Sequence, residues 1–206
     1  MDLSLFDIKE EKQQDKVVKS IKQNKAWGKH QKFYLKHQEI IKNIGEITEF
    51  PENDGEMVNI LSNNQFNAFT FIPFILSKRK IKSLSIATYS INQKIIDAVL
   101  ELYINKQVKE LNFFVSLHFL RTRGYIAKSM IEAHEKYKDI NVGFAFSHAK
   151  ITIMDNFVVV GSGNMTKNTR VEQYILANSK EMADFFRDNF FENFELNENL
   201  RKLAYE

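Results

Sequence analysis

Hydrophobic and polar positions follow two different rhythms along this chain. Some short stretches alternate apolar and polar residues or are apolar throughout, as β-strands are, while others place apolar residues three and four positions apart, as helices do. From residue 57 onward the two kinds of stretch follow each other in turn. Strands are predicted at 57–61, 81–89, 108–117, 140–146, 149–155 and 157–163, and helices at 64–78, 92–106, 123–137 and 180–197. Pro73 is expected to kink or shorten the first of these helices.

The alternation of strands and helices predicts the fold class. It favours an α/β sandwich in which a mixed sheet is flanked by helices. The segment FPENDGE at 50–56 combines Pro, Asn, Asp and Gly and is the clearest predicted loop. Residues 10–43 have helical spacing. We therefore predict a basic helical extension at 1–56 and a main α/β domain at 57–206.

Charge is distributed unevenly, although the formal net charge of the 206 residues is only +3. The segment Lys9–Lys42 contains ten lysines and four acidic residues, whereas Glu172–Glu206 contains four basic and eight acidic residues. The lysine-rich segment can attract a polyanion such as nucleic acid or a membrane surface, or it can be the solvated face of a helix. Its charge alone does not decide between these interpretations.

The composition narrows the class of protein further. The chain contains no cysteine, which excludes disulfides and thiolate metal sites. The first residues have no apolar signal core, and no stretch approaches the roughly 20 apolar residues of a membrane span. With 44% hydrophobic residues, the chain can form a core. These features predict a soluble, cytoplasmic protein with no stable membrane association.

The stretch FSHAKITIMDNFVVVGSGN at 146–164 carries a few polar residues in a sequence that otherwise reads as a buried hairpin. In a strand, His148 and Lys150 project from the same face, roughly 6.5 Å apart. A turn at Asp155 and a glycine-rich bend after the second strand can return Asn164 to their side. An imidazole, an ammonium and a carboxamide would then line one pocket at the end of two strands.

These three groups suit a phosphate ester. A neutral imidazole can attack phosphorus, the lysine offsets charge on the non-bridging oxygens, and the asparagine donates a hydrogen bond to one of them. No cluster of metal-ligating residues accompanies them in the sequence, so neither a metal nor a cofactor is predicted.

Here the sequence resembles the phospholipase D superfamily. HAKITIMD matches the family signature His-x-Lys-x4-Asp, and GSGN matches the Gly-Ser-x-Asn that follows it at this distance. Six identities in order carry the resemblance: His148, Lys150, Asp155, Gly161, Ser162 and Asn164. The strands and helices around the motif are similar to one superfamily repeat over about residues 57–195.

The resemblance implies a role for each residue of the first motif and for the asparagine. His148 matches the histidine that forms a covalent phosphohistidine. Lys150 and Asn164 match the residues that clamp the phosphate. Asp155 matches an aspartate whose role is more structural than chemical, which is also the physical expectation at a hairpin turn.

Further roles are implied around the second motif. Ser162, with Gly161 and Gly163 on either side, matches a serine at the edge of the substrate pocket. Glu172 lies where relatives often carry a glutamate that hydrogen-bonds the catalytic histidine. Such a carboxylate would orient the ring and stabilise its protonated form.

The family chemistry needs two histidines, because one attacks phosphorus while the other protonates the leaving oxygen and later activates water. The chain has one copy of the motif. The remaining histidines are interpreted as surface or loop residues: His30, His37, His118 and His134. A twofold axis could set two hairpins face to face and build one site from two chains. The resemblance supports such a homodimer, since members with a single motif typically form one.

Three functions follow from the resemblance. The single motif, the short chain and the lysine-rich segment favour a metal-independent phosphodiesterase that cleaves nucleic acid, with an endonuclease as the expected form. The first alternative is a phospholipid hydrolase or phosphatidyl transferase, although such relatives usually carry two motifs in a longer chain. The second is a non-catalytic member that binds nucleic acid. The sequence leaves open whether DNA or RNA, and single or double strands, would be bound.

Overall fold

The computed structural model of the protein describes residues 44–45, 49–63, 67–166 and 171–205. All of these residues belong to one compact unit. The helix predicted at 10–43 and most of the extension at 1–56 lie outside the described residues, so the extension and its boundary stay predictions. His30 and His37 also lie outside them.

The strands of the described part form a seven-stranded mixed sheet. They are β1 (Glu56–Asn63), β2 (Ser83–Thr88), β3 (Glu110–Ser116), β4 (Ile140–Ala145), β5 (Ile151–Met154), β6 (Phe157–Gly161) and β7 (Val171–Asn178). Their order is β1-β7-β6-β5-β2-β3-β4. The neighbours β2, β3 and β4 are parallel, and every other pair is antiparallel. The predicted mixed sheet is therefore confirmed.

Helices cover the sheet and connect its parallel strands. They are α1 (Phe71–Leu76), α2 (Gln93–Ile104), α3 (Leu117–Thr122), α4 (Gly124–Lys136), α5 (Lys180–Asn189) and α6 (Glu198–Leu203). Pro73 lies in α1, which spans six residues and is shorter than the helix predicted at 64–78. α2 joins β2 to β3, and α3 with α4 joins β3 to β4, so both connections are strand–helix–strand units. Within the described ranges, no helix has the length and apolarity that crossing a bilayer requires.

The helix predicted at 180–197 is wrong in its second half. α5 ends at Asn189, and after a 3-10 turn at Phe191–Asn193 the chain forms an isolated bridge to the edge strand β4. In this bridge the N–H of Phe144 donates to the carbonyl of Glu195 at 2.7 Å. An edge strand leaves backbone groups unpaired, and the bridge satisfies two of them. This long-range contact overrides the four-residue spacing of phenylalanines that predicted a continuous helix.

The strand β7 is absent from the sequence predictions. Glu172 and Gln173 interrupt the apolar pattern at its start, so the stretch has neither a clear alternation nor a continuous apolar run. The sheet supplies what the local pattern lacks, because Tyr174 pairs with Ile60 of β1 on one side and with Gly161 of β6 on the other. Pairing on both sides satisfies its backbone groups.

Apolar side chains are buried on both faces of the sheet. On one face Ala87, Ile153 and Val158 pack with Ala183 of α5 and with Phe191. Alternation along β2 turns Leu84 and Ile86 to the other face, where both are fully buried. Apolar packing therefore covers both faces of the sheet, and exposed polar groups lie where its strands end.

Candidate active site

The motif residues collect along one row of strand ends, which is here called an edge of the sheet and differs from a lateral edge strand such as β4. The parallel strands β2, β3 and β4 end there, and antiparallel pairing makes β5 begin, β6 end and β7 begin at the same edge. The loop with His148 and Lys150 enters β5 at this edge, and the segment with Ser162 and Asn164 leaves β6 there. We call it the motif edge.

His148 and Lys150 contact each other directly. The Nζ atom of Lys150 lies 3.0 Å from Nδ1 of His148 and donates a hydrogen bond to the His148 carbonyl at 2.7 Å. His148 is exposed, whereas Lys150 is only 8% exposed. The strand begins at Ile151 and not at residue 149 as predicted, so the loop before it brings the two side chains together. The arrangement presents an accessible imidazole backed by a buried ammonium.

Burial and a nearby carboxylate shift the pKa of the Lys150 ammonium in opposite directions. Burial lowers the pKa of Lys150 below that of a free lysine, because the charged form is less well solvated. The carboxylate of Glu172 acts in the opposite direction and offsets part of this shift. A charge with little water around it interacts more strongly with a nearby anion than an exposed one does. Lys150 therefore suits the binding of a phosphate oxygen beside His148.

Asn164 is held at the motif edge by backbone hydrogen bonds of the next residue, Met165. The N–H of Met165 donates to the Ser90 carbonyl at 3.1 Å, and the Asn92 N–H donates to the Met165 carbonyl at 3.1 Å, which fastens the segment beside the end of β2. In the part of the chain that the structure describes, Oδ1 of Asn164 is buried without a hydrogen-bond partner. Buried polar atoms are nearly always paired, so this exception needs an explanation. The unused capacity is that of an acceptor, and the atom of Asn164 that can donate to a phosphate oxygen is Nδ2.

The glycine-rich segment closes tightly on β7. A Cβ atom at Gly161 would lie 2.4 Å from Cδ1 of Tyr174 and 2.7 Å from the Gln173 carbonyl oxygen, so only glycine fits there. The Gly161 N–H donates to the Lys150 carbonyl at 3.2 Å, which ties this segment to the loop of the histidine. Gly163 is buried. The close approach lets the segment leave β6 along the motif edge.

Glu172 is held by Ser162 and not by the histidine. The hydroxyl of Ser162 donates to Oε2 of Glu172 at 2.5 Å and accepts from the Gln173 N–H at 3.0 Å. Among the described residues, no hydrogen bond joins Glu172 to His148. The structure therefore places the predicted glutamate at the motif edge, where its charge acts on Lys150. Ser162 orients that carboxylate.

Asp155 lies at the opposite end of the hairpin. Its carboxylate accepts from the N–H groups of Lys82 and Ser83 at 2.9 and 3.0 Å, and its carbonyl accepts from Arg187. The whole of β5 separates it from Lys150. Its backbone has a φ of 51°, a left-handed conformation that aspartate tolerates better than most residues. This aspartate joins the start of β2 to the turn and does not reach the motif edge.

Tyr89 and His118 are residues of this edge to which the sequence analysis gave no role. The ring centroid of Tyr89 lies 4.6 Å from that of His148 and 5.5 Å from that of His118, and the His118 ring stacks on it at 13°. The Nζ atom of Lys150 lies 5.7 Å from the Tyr89 ring centroid. The sequence signal for these two residues was that they follow β2 and β3 directly, because residues that follow parallel strands collect at one edge of a sheet. Tyr89 therefore packs against the imidazole of His148.

The remaining described histidine belongs to another part of the fold. Nδ1 of His134 lies 2.7 Å from the carbonyl oxygen of Ile140, where β4 begins, which is the edge opposite the motif. Across the described ranges, no group of three His, Cys, Asp or Glu side chains is arranged to hold a metal ion.

Comparison with solved structures identifies the fold. The chain aligns over 68% of its length with 97% of the crystal structure of a phospholipase D family member, Nuc from Salmonella typhimurium, with a TM-score of 0.50 and 19% identity. It aligns over 72% of its length with 44% of a phosphatidylserine synthase from Haemophilus influenzae Rd KW20, with a TM-score of 0.52 and 12% identity. No protein-family model and no curated protein matches the sequence. The chain has the phospholipase D fold, which confirms the resemblance found in the motif at the level of the fold.

Proposed function

We propose that this protein is a phosphodiesterase that cleaves nucleic acid through a covalent bond between His148 and phosphorus. One observation carries the proposal: the exposed imidazole of His148 touches the buried ammonium of Lys150 at the motif edge of a phospholipase D fold. The nucleophile is accessible, and the charge that a phosphate needs is already beside it.

The first half of the reaction transfers the phosphoryl group to the protein. The imidazole nitrogen with the free lone pair attacks phosphorus, an N–P bond forms, and the bond from phosphorus to the leaving oxygen breaks. Lys150 and Asn164 face the developing negative charge on the non-bridging oxygens. The leaving oxygen takes a proton from a second, protonated imidazole and departs as a hydroxyl.

The second half consumes one water. The second imidazole, now neutral, accepts a proton from the water as its oxygen attacks phosphorus, and the N–P bond breaks. The products are a phosphomonoester and an alcohol, and both histidines return to their starting states.

The second imidazole comes from another copy of this chain in the proposal. Twofold symmetry would place two motif edges face to face, so that each copy contributes its own His148. Because His148 is exposed, it is accessible to a facing subunit. A single-chain mass in light scattering under assay conditions would contradict this arrangement.

Nucleic acid is the proposed substrate because of two exposed arginines at the motif edge and because of the lysine-rich segment of the sequence. Arg121 and Arg123 are exposed after β3, at the same edge as Lys150, and the sequence adds ten lysines in Lys9–Lys42. Such cations can follow a phosphate backbone without reading bases. The phospholipid enzyme and the non-catalytic binding protein remain the alternatives that the test must separate.

We expect the full-length protein to nick supercoiled plasmid in the presence of EDTA. The reason is that the proposed chemistry uses imidazole and ammonium groups alone. The assay follows conversion to open circles on a gel, beside hydrolysis of phosphatidylcholine vesicles. DNA binding should weaken steeply with salt, since bound cations displace the counterions of the phosphates.

Each outcome of this assay points to one interpretation. Nicking without vesicle hydrolysis supports the proposed function. Vesicle hydrolysis alone would favour the phospholipid enzyme, and salt-sensitive binding without turnover of plasmid, single-stranded DNA or RNA would favour the non-catalytic protein. Either of the latter two results contradicts a nuclease.

Replacing Asp155 with alanine is expected to lower stability and spare catalysis. The N–H groups of Lys82 and Ser83 would lose their acceptor, which costs about 1–3 kcal/mol in the free energy of unfolding. Urea unfolding measures the loss, and plasmid nicking well below the melting temperature measures catalysis. Asp155→Asn is the matched control, since it keeps one carbonyl oxygen and tolerates the left-handed φ. A stable variant with lost turnover would instead place Asp155 in the chemistry.

A further inference from the structure

An exposed aromatic ring lies beside the proposed site. Phe146 is 77% exposed, and the guanidinium carbon of Arg121 lies 5.3 Å from its ring centroid. A cation close to an aromatic ring is attracted by the ring quadrupole, so the pair keeps an exposed apolar face and a charge together. The pair presents a flat π surface and a positive charge in the same place.

Two separate connections tie this pair to His148. Along the chain, Phe146 precedes His148 by two residues in the loop that enters β5. Through space, Arg121 lies one turn after His118 in α3, and the His118 ring stacks on Tyr89, which contacts His148. We call Phe146, Arg121, His118 and Tyr89 the stacking platform.

A second exposed pair of a cation and an aromatic ring follows Arg121 along the chain. Beyond α3, Nη1 of Arg123 lies 3.4 Å from the hydroxyl oxygen of Tyr125, and the Tyr125 side chain is 70% exposed. A nucleic acid strand presents the matching alternation, because each nucleotide carries one phosphate charge and one flat base. Phospholipid acyl chains would need a continuous apolar surface, which arginines interrupt.

We infer that the stacking platform binds an unpaired base of single-stranded nucleic acid, next to the phosphate that His148 attacks. This inference rests on the proposed function and specifies its substrate. In a duplex each base is already stacked and paired, so its face is not available to Phe146. In a single strand the base can rest on Phe146 while Arg121 contacts the adjacent phosphate or stacks on the base. The platform would thus set the position of the scissile phosphate.

The test measures binding and not cleavage. Full-length His148→Ala, which cannot turn over its ligand under the proposal, is titrated by fluorescence anisotropy against a labelled single-stranded DNA, the same sequence as a duplex, and an abasic strand of equal length. Adding Phe146→Ala is expected to weaken single-strand binding roughly tenfold, in line with the stacking of a base on an aromatic ring, and to leave duplex binding almost unchanged. Adding Arg121→Gln is expected to act in the same direction.

Two matched controls come from other parts of the fold, one from α5 on a face of the sheet and one from the segment before β2. Phe185 of α5 is 59% exposed, and Arg79 lies 5.8 Å from the Phe50 ring centroid in a second arginine–phenylalanine pair. Phe185→Ala and Arg79→Gln are expected to leave single-strand binding unchanged. They correct for the loss of any exposed phenylalanine or any arginine.

The abasic strand separates stacking from charge. The parent is expected to bind it about tenfold more weakly than the base-bearing strand, and Phe146→Ala is expected to bind both equally. Equal affinity of the parent for both strands, or unchanged single-strand binding by Phe146→Ala, would overturn the inference.

The inference and the proposed function can fail separately. Platform-dependent binding without cleavage by the wild-type protein contradicts the nuclease and supports the platform. Cleavage with platform-independent binding contradicts the platform alone. Binding to phosphatidylcholine vesicles without binding to any strand overturns both.

Discussion

Replacing His148 with alanine is expected to reduce phosphodiester cleavage about 10⁴-fold or more, since the reaction would lose its nucleophile. His148 is exposed, but its Nδ1 contacts the buried ammonium of Lys150, so the free energy of unfolding should fall by no more than about 3 kcal/mol. Initial rates of plasmid nicking and urea unfolding measure the two quantities. A radiolabelled phosphate should leave an acid-labile radioactive label on the wild-type protein and none on the variant.

Subunit mixing makes this prediction sharper. If one site requires His148 from two chains, a hybrid of one wild-type and one tagged His148→Ala chain should be inactive. A hybrid with half of the wild-type activity would show that each chain holds its own site. His118 would then be the candidate for the second imidazole, since it stacks on the same tyrosine as His148, and His118→Gln would test it. A fully active homogeneous His148→Ala protein would contradict the whole mechanism.

Replacing Lys150 with methionine is expected to lower kcat/KM by about 100- to 1,000-fold, the size of effect seen when one group that stabilises a developing oxyanion is removed. Methionine keeps an unbranched apolar stem in the buried position and removes the ammonium, so stability should not fall. Steady-state kinetics and thermal unfolding separate the two effects. Lost activity together with lost folding would favour a structural role for the lysine.

The pH profile adds a second measurement at the same residue. Burial lowers the pKa of Lys150, so its charge is lost at a lower pH than that of a free lysine. Activity should therefore decline as the pH rises through this lowered pKa, whereas Lys150→Arg, which stays charged, should extend activity to higher pH. The folded state binds its proton less tightly than the unfolded state, so this group makes the free energy of unfolding increase over the same pH range. An alkaline limb identical in Lys150→Arg would contradict the assignment.

The sequence motif predicted only part of the site. The short spacing of His148 and Lys150 makes their proximity a local matter, which is why the sequence could predict it. The hydrogen bond of Glu172 to Ser162 could not be predicted, because it depends on the register in which β6 meets β7. Tyr89 contacts residues far along the chain, and no local pattern carries that information.

The sequence by itself determined the alternation of strands and helices, the mixed α/β class and the chemistry of the motif, since side-chain periodicity and residue type are local properties. Tertiary structure decided which strand ends meet, the presence of β7, the hydrogen bonds of Asp155 to Lys82 and Ser83 and the contact of Phe146 with Arg121. These features depend on the order and register of strands that are distant in sequence. Each is stabilised by hydrogen bonds and packing that form only when the whole sheet assembles.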